Sequence, residues 1–138
     1  MTSNPYSAYQ MNQIFTVPQE KLVLMLYEGA LRFCRQGEIA LEKRDYAQVN
    51  ENLIRAQEIL GELMATLNFE AGEIAQNLYR LYEFMRWYLI QANVKKDAKI
   101  IREVIELLQD LRDTWEEATK NYHSHDYRTR FGELTWQG

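Results

Sequence analysis

From Gln19 to about Asn121 the chain contains no proline, and its apolar residues recur at intervals of three and four. Val49, Leu53, Ala56, Leu60, Leu63 and Leu67 form one such series. Ile74, Leu78, Leu81, Met85, Tyr88 and Ala92 form the next, and Ile101, Val104, Leu108, Leu111, Trp115 and Ala118 the last. Ahead of them, Leu22, Leu26, Gly29, Phe33, Gly37 and Ala40 give a fourth stripe. Each series predicts an amphipathic helix with one face turned to a core. The breaks between them carry helix-end chemistry: Thr16 with Gln19 ahead of the first helix, Asp45 with Gln48 ahead of the second, and Asp97 ahead of the fourth. Asn68–Gly72 separates the second helix from the third, and Asn93–Asp97 the third from the fourth. Connections this short make neighbours antiparallel. The prediction is an all-α, mainly up-and-down four-helix bundle over residues 18–118. It is flanked by an N-terminal arm, residues 1–17, and a C-terminal tail, residues 119–138, both polar with scattered aromatics.

The first helix has more apolar positions than one stripe uses. At 100° per residue, Leu24, Tyr27, Leu31 and Cys34 fall on the face opposite the predicted core stripe, so they are expected to meet the arm, another chain or water. The arm supplies a candidate cover in Tyr6, Tyr9, Met11, Ile14 and Phe15, a set too short to make its own core. Such a cover is either a fixed part of the core or displaceable. The third helix shows a smaller surplus at Tyr79, Trp87 and Ile90.

Composition narrows the function. With 138 residues, 46% of them hydrophobic and only two prolines, the chain fits one globular domain and not a disordered segment. Its net charge of -4 argues against nucleic acid as a partner, and the one dense basic stretch is Lys95, Lys96, Lys99 and Arg102. Residues 1–20 hold no Lys or Arg, so no secretory signal is expected, and the longest apolar run, Leu22–Tyr27, falls far short of a bilayer span. A lone cysteine, Cys34, suits a reducing compartment. A soluble cytoplasmic protein is the expectation.

Catalytic chemistry finds no footing in the residues. The only histidines, His123 and His125, lie in the tail with Asp126, so the Glu-x-x-His plan of a di-iron bundle is absent, as are Cys-x-x-Cys-His and a Gly-rich phosphate loop. Cys34 has no histidine in its helix to activate it, and the carboxylates Asp110, Asp113, Glu116 and Glu117 read as a solvated face. No enzyme activity, cofactor or metal is predicted.

Ordered motifs carry a family resemblance. The stretch Glu20-Lys21-Leu22-Val23-Leu24-Met25-Leu26-Tyr27-Glu28-Gly29-Ala30, followed by Arg32-Phe33, resembles the opening of helix one in the FliS family of flagellar export chaperones. Tyr6-x-x-Tyr9, Asn52-Leu53, Ala56-Gln57, Glu62-Leu63, Gly72-Glu73-Ile74-Ala75, Asn77-Leu78, Leu81-Tyr82, Ala92-Asn93 and Leu111-Arg112-Asp113-Thr114-Trp115 extend it over roughly residues 6–118. Departures are Val17-Pro18 in place of Ser-Pro, Ala71-Gly72 in place of Gly-Gly, and Trp87 where a basic residue is frequent. The resemblance implies a chaperone that binds the disordered C-terminal segment of flagellin, prevents premature polymerisation and delivers it to the flagellar type III export gate, with regulatory proteins as further partners. It also gives the apolar surplus a use, because an amphipathic segment can fold into a groove as it binds. On that basis Leu24, Tyr27 and Leu31 are expected to form the groove wall, Tyr6 and Tyr9 a displaceable cover or export contact, and Tyr79, Tyr82 and Ile90 secondary contacts. The alternative is a generic bundle adaptor for some other amphipathic helix.

Overall fold

The computed structural model describes residues 20–120, and these form four α-helices. They are α1 (Glu20–Glu42), α2 (Tyr46–Ala65), α3 (Glu73–Lys95) and α4 (Ala98–Lys120), with a 3₁₀ turn at Phe69–Ala71 between α2 and α3. Each helix packs on its neighbour in sequence and α1 closes the ring against α4, whereas the diagonal pairs make no close backbone approach. The result is the predicted antiparallel four-helix bundle. Its helices start at Glu20 and run to Lys120, two residues past the predicted boundary; the expected Thr16 and Gln19 cap lies outside the described residues.

Two connections are built alike. At the end of α1 the Asp45 N–H donates to the Ala40 carbonyl at 2.9 Å, and at the end of α3 the Asp97 N–H donates to the Ala92 carbonyl at 3.0 Å. These are the long-range bonds of the Schellman ending, in which the preceding residue takes a left-handed conformation. That residue is Arg44 (φ 57°) in one turn and Lys96 (φ 52°) in the other. Each aspartate then caps the next helix: Asp45 Oδ1 accepts from the Gln48 N–H at 3.3 Å, and Asp97 Oδ1 from the Lys99 N–H at 2.9 Å. At the opposite end, Asn68 Oδ1 accepts from the Glu70 N–H at 3.0 Å, and Gly72, at φ 89°, turns the chain into α3.

The core follows the stripes of α2 and α4, every member of which is buried. In α3, Leu78, Leu81, Met85 and Ala92 are buried and Ile74 and Tyr88 half-buried, while Tyr82 and Leu89 join the core from just beside the stripe. The stripe assigned to α1 needs correction. Leu22 is 42% exposed, Phe33 is half-buried, and the supposed outer residues Tyr27, Leu31 and Cys34 are buried together with Val23, Leu26 and Ala30. The reason is geometric: α1 meets α2 on one flank and α4 on the other, so its buried arc is wide and centred between the two stripes. Against α2 the approach is tight. A Cβ on Gly37 would stand 2.9 Å from Leu53 Cδ2, and one on Gly29 would stand 3.2 Å from Ile59 Cδ1. Against α4, the Trp115 indole N–H donates to the Glu20 carbonyl at 2.9 Å and pins the start of α1.

Candidate functional site

Of the expected contact residues, the structure brings Tyr27 and Tyr82 together, but inside the bundle. Both are fully buried, and their hydroxyls lie 2.6 Å apart. They belong to α1 and α3, a diagonal pair whose backbones do not meet, so two long phenols span the centre that shorter side chains would leave unbridged. Desolvation pushes the ionisation of both phenols upward. Burial likewise pushes the Cys34 thiol up to about 12, which keeps it neutral and unreactive. Leu31 is also in the core. A groove wall built from Tyr27 and Leu31 is therefore not a surface feature of this structure, because the wide arc of α1 draws both inward.

The other expected contacts stand nearer the surface. Leu24 and Tyr79 are half-buried against the core, Tyr79 with the Phe69 ring edge-on at 5.5 Å. Ile90 is exposed. Tyr6 and Tyr9 lie outside the described residues.

What the surface does offer is an apolar line along α3. Trp87, Ile90 and Val94 follow one another at three- and four-residue spacing on the face turned away from the core, with Trp87 53% and Val94 74% exposed. Phe84 extends the patch, its ring centroid 6.3 Å from Trp87 and 5.0 Å from Tyr88, while the Trp87 and Tyr88 planes are nearly parallel. The Tyr88 hydroxyl donates to Glu103 Oε1 on α4 at 2.6 Å, which fixes this end of the aromatic cluster to the neighbouring helix. Ile54, on the adjacent helix α2, is exposed as well, and Leu22 and Met25 give α1 a smaller exposed pair. Sequence reasoning picked out Trp87 and Ile90 but missed Phe84 and Val94. The signal was present: on a helical projection both fall on the outer arc with Trp87.

The α1–α4 seam has the opposite character. Arg112 on α4 binds Glu28 on α1 at 2.9 Å and Glu116 at 3.0 Å on its own helix. Arg35 donates to Gln109 at 2.7 Å, and Arg102 pairs with Glu38 at 3.1 Å. This polar lacing covers one side of the bundle and leaves the apolar line on the other. Among the described residues no helix is long and apolar enough to cross a membrane.

A family model described as flagellar protein FliS matches residues 2–122. The chain is 42% identical over 118 residues to the flagellar secretion chaperone FliS of Bacillus subtilis, covering 86% of this chain and 88% of that protein. It is 37% identical over 117 residues to the flagellar secretion chaperone FliS of Campylobacter jejuni, covering 84% and 91%. The counterpart in Salmonella typhimurium is 35% identical over 106 residues, covering 75% and 78%. A match over nearly the whole length of a four-helix bundle, shared with relatives of one description, places this chain in the FliS family of flagellar proteins.

Proposed function

We propose that this protein is a cytoplasmic, non-enzymatic export chaperone that binds the disordered C-terminal segment of flagellin, prevents its premature polymerisation and delivers it to the flagellar type III export gate. The observation that supports this most directly is the exposed line Trp87, Ile90 and Val94 on α3, extended by Phe84, in a bundle whose relatives are called flagellar secretion chaperones. An amphipathic segment that reads its anchors at i, i+3 and i+7 matches that spacing, and it would gain helical order as its apolar face is covered. The binding requires no nucleotide and no metal, only desolvation of apolar surface. Leu24, Tyr79 and Ile90 serve as client contacts, while Tyr27, Leu31 and Tyr82 hold α1 and α3 in position from within. Tyr6 and Tyr9 act as a cover over the apolar surface or as a contact for the export gate. Regulatory proteins are further partners of the loaded or empty bundle.

The test is a comparison of client affinity between the native chain and a Trp87→Ser, Val94→Ser variant. Both side chains are exposed, so the helical signal should persist while affinity falls by about tenfold or more. Unchanged affinity in a folded variant would contradict this site.

A further inference from the structure

We infer that the end of the bundle formed by the α1–α2 and α3–α4 turns is a cationic docking surface for an acidic protein segment, separate from the client line on α3. Two basic clusters remote in sequence meet there. The α1–α2 turn reads Lys43-Arg44-Asp45 and the α3–α4 turn Lys95-Lys96-Asp97. The antiparallel fold sets them side by side: Asn93 donates to Asn50 Oδ1 at 2.7 Å, and Arg102 pairs with Glu38 at 3.1 Å, tying the ends of all four helices into one pole. In the two turns and the five residues of each helix nearest them, Lys43, Arg44, Lys95, Lys96, Lys99 and Arg102 stand against Glu38, Glu42, Asp45 and Asp97, an excess of two positive charges at the tip of a chain of net charge -4, with Glu51 and Glu103 next along their helices. Three of the four carboxylates are already engaged, Glu38 with Arg102, and Asp45 and Asp97 as helix caps. Among the described residues Lys43, Arg44, Lys95 and Lys99 have no ion-pair partner. Among the described residues the opposite pole carries Glu20, Glu62, Glu70, Glu73, Glu116 and Glu117 against Lys21 and Lys120, so the described bundle is electrically polarised along its length.

Backbone conformation points the same way. Both turns place a residue in the left-handed region, where glycine or asparagine is favoured because a Cβ is strained, and both fill that position with a long cation, Arg44 and Lys96. Stability alone would select Gly at each. The pole also has apolar features that a point charge does not need. Ile39 and Ala40 floor an open groove of about 240 Å³ between α1 and α2, rimmed by Lys43, Gln48 and the capping carboxylate Asp45, and Tyr46 is exposed nearby. A carboxylate-rich peptide with an occasional bulky apolar residue satisfies both the charge and the groove. A continuous polyanion is a poorer fit, since the acidic remainder of the chain repels it beyond the pole.

The test is a titration of the isotope-labelled full chain, followed by amide chemical shifts, with an acetylated and amidated peptide of about fifteen residues, Glu throughout except Leu at every fourth position. A matched peptide with Lys for Glu and vesicles of mixed phosphatidylglycerol and phosphatidylcholine are run beside it. The expected result is saturable binding of the acidic peptide alone, shifts confined to the two turns and the groove beneath them, and weakening between about 50 and about 300 mM salt. The variant Arg44→Gly, Lys96→Gly should hold or raise the melting temperature while weakening the acidic peptide about tenfold, and Lys43→Ala, Lys99→Ala should weaken it comparably. Binding to vesicles but not to peptide, shifts centred on Trp87, or affinity unchanged in both variants would each overturn the proposal. Flagellin affinity is predicted to be unaltered in these variants, so loss of the client reading and loss of this one are distinguished by separate titrations.

Discussion

At the scale of single residues, the Tyr27–Tyr82 hydroxyl pair makes a sharp energetic prediction. Replacing either by Phe leaves the other hydroxyl buried without its partner, which should cost about 1–3 kcal/mol. Replacing both removes the orphan, so the double variant should be more stable than the sum of the singles requires, by about 1 kcal/mol. Urea unfolding of the four proteins checks this; strict additivity would deny the bond any weight. The weakened acidities of Tyr27, Tyr82 and Cys34, each caused first by burial, fix the direction of the pH dependence. In the folded state these groups hold their protons to higher pH than in the unfolded chain. The unfolded chain therefore releases protons first as pH climbs through the ordinary thiol and phenol values, 9.0 and 10.0, and stability should fall there after a flat course through neutrality. Melting temperature against pH for the native chain and Cys34→Ala measures it, the variant losing the earliest part of the decline. The inward position of Tyr27 was not legible from its place on one helix. The same tyrosine serves as an exposed anchor or a core bridge depending on which neighbours flank α1, and periodicity within one helix does not report that.

At the scale of elements, the α1–α2 contact and the body of α2 set two glycines in contrast. A side chain at Gly37 runs into Leu53 at 2.9 Å, so Gly37→Val should destabilise by about 1–3 kcal/mol through overpacking. Gly61 sits within α2, where an alanine Cβ would meet only the tip of Arg86, at 3.4 Å. There Ala should fit, and Gly61→Ala should stabilise by about 0.5–1 kcal/mol from helix propensity. Denaturant midpoints for the two variants should move in opposite directions; a shared direction would contradict the packing described for Gly37. The stripes of α2 and α4 were fully legible in the sequence because each presents one strict three-four series to one core. The caps at Asp45 and Asp97 were legible for the same local reason, an acid placed just ahead of a periodic run. The stripe of α1 was legible only in part. Its apolar residues cover two flanks, and choosing between Leu22 and Tyr27 as the inward one depends on knowing that α4 lies beside α1.

At the scale of the whole molecule, the bundle divides its surface into a polar α1–α4 seam, an apolar line on α3 and a cationic pole. The family was legible from the motifs of α1 to α4, and the outer arc of α3 was legible in part: Trp87 and Ile90 stand off the core stripe, and the same helical projection places Phe84 and Val94, which the structure shows exposed, beside them. Exposed aromatic and aliphatic side chains aligned on one helix are the arrangement expected of a surface that captures a segment folding on contact. We propose that this surface binds the end of flagellin by coupled folding. The measurement that tests it most directly is calorimetric titration of the full chain with roughly the last 50 residues of flagellin from the same organism, with circular dichroism recorded on the mixture. Coupled folding on this surface gives saturable one-to-one binding, a negative heat-capacity change, and more helix in the mixture than in the separate components. Failure of two intact partners to bind would contradict it and favour a bundle adaptor for a different amphipathic helix.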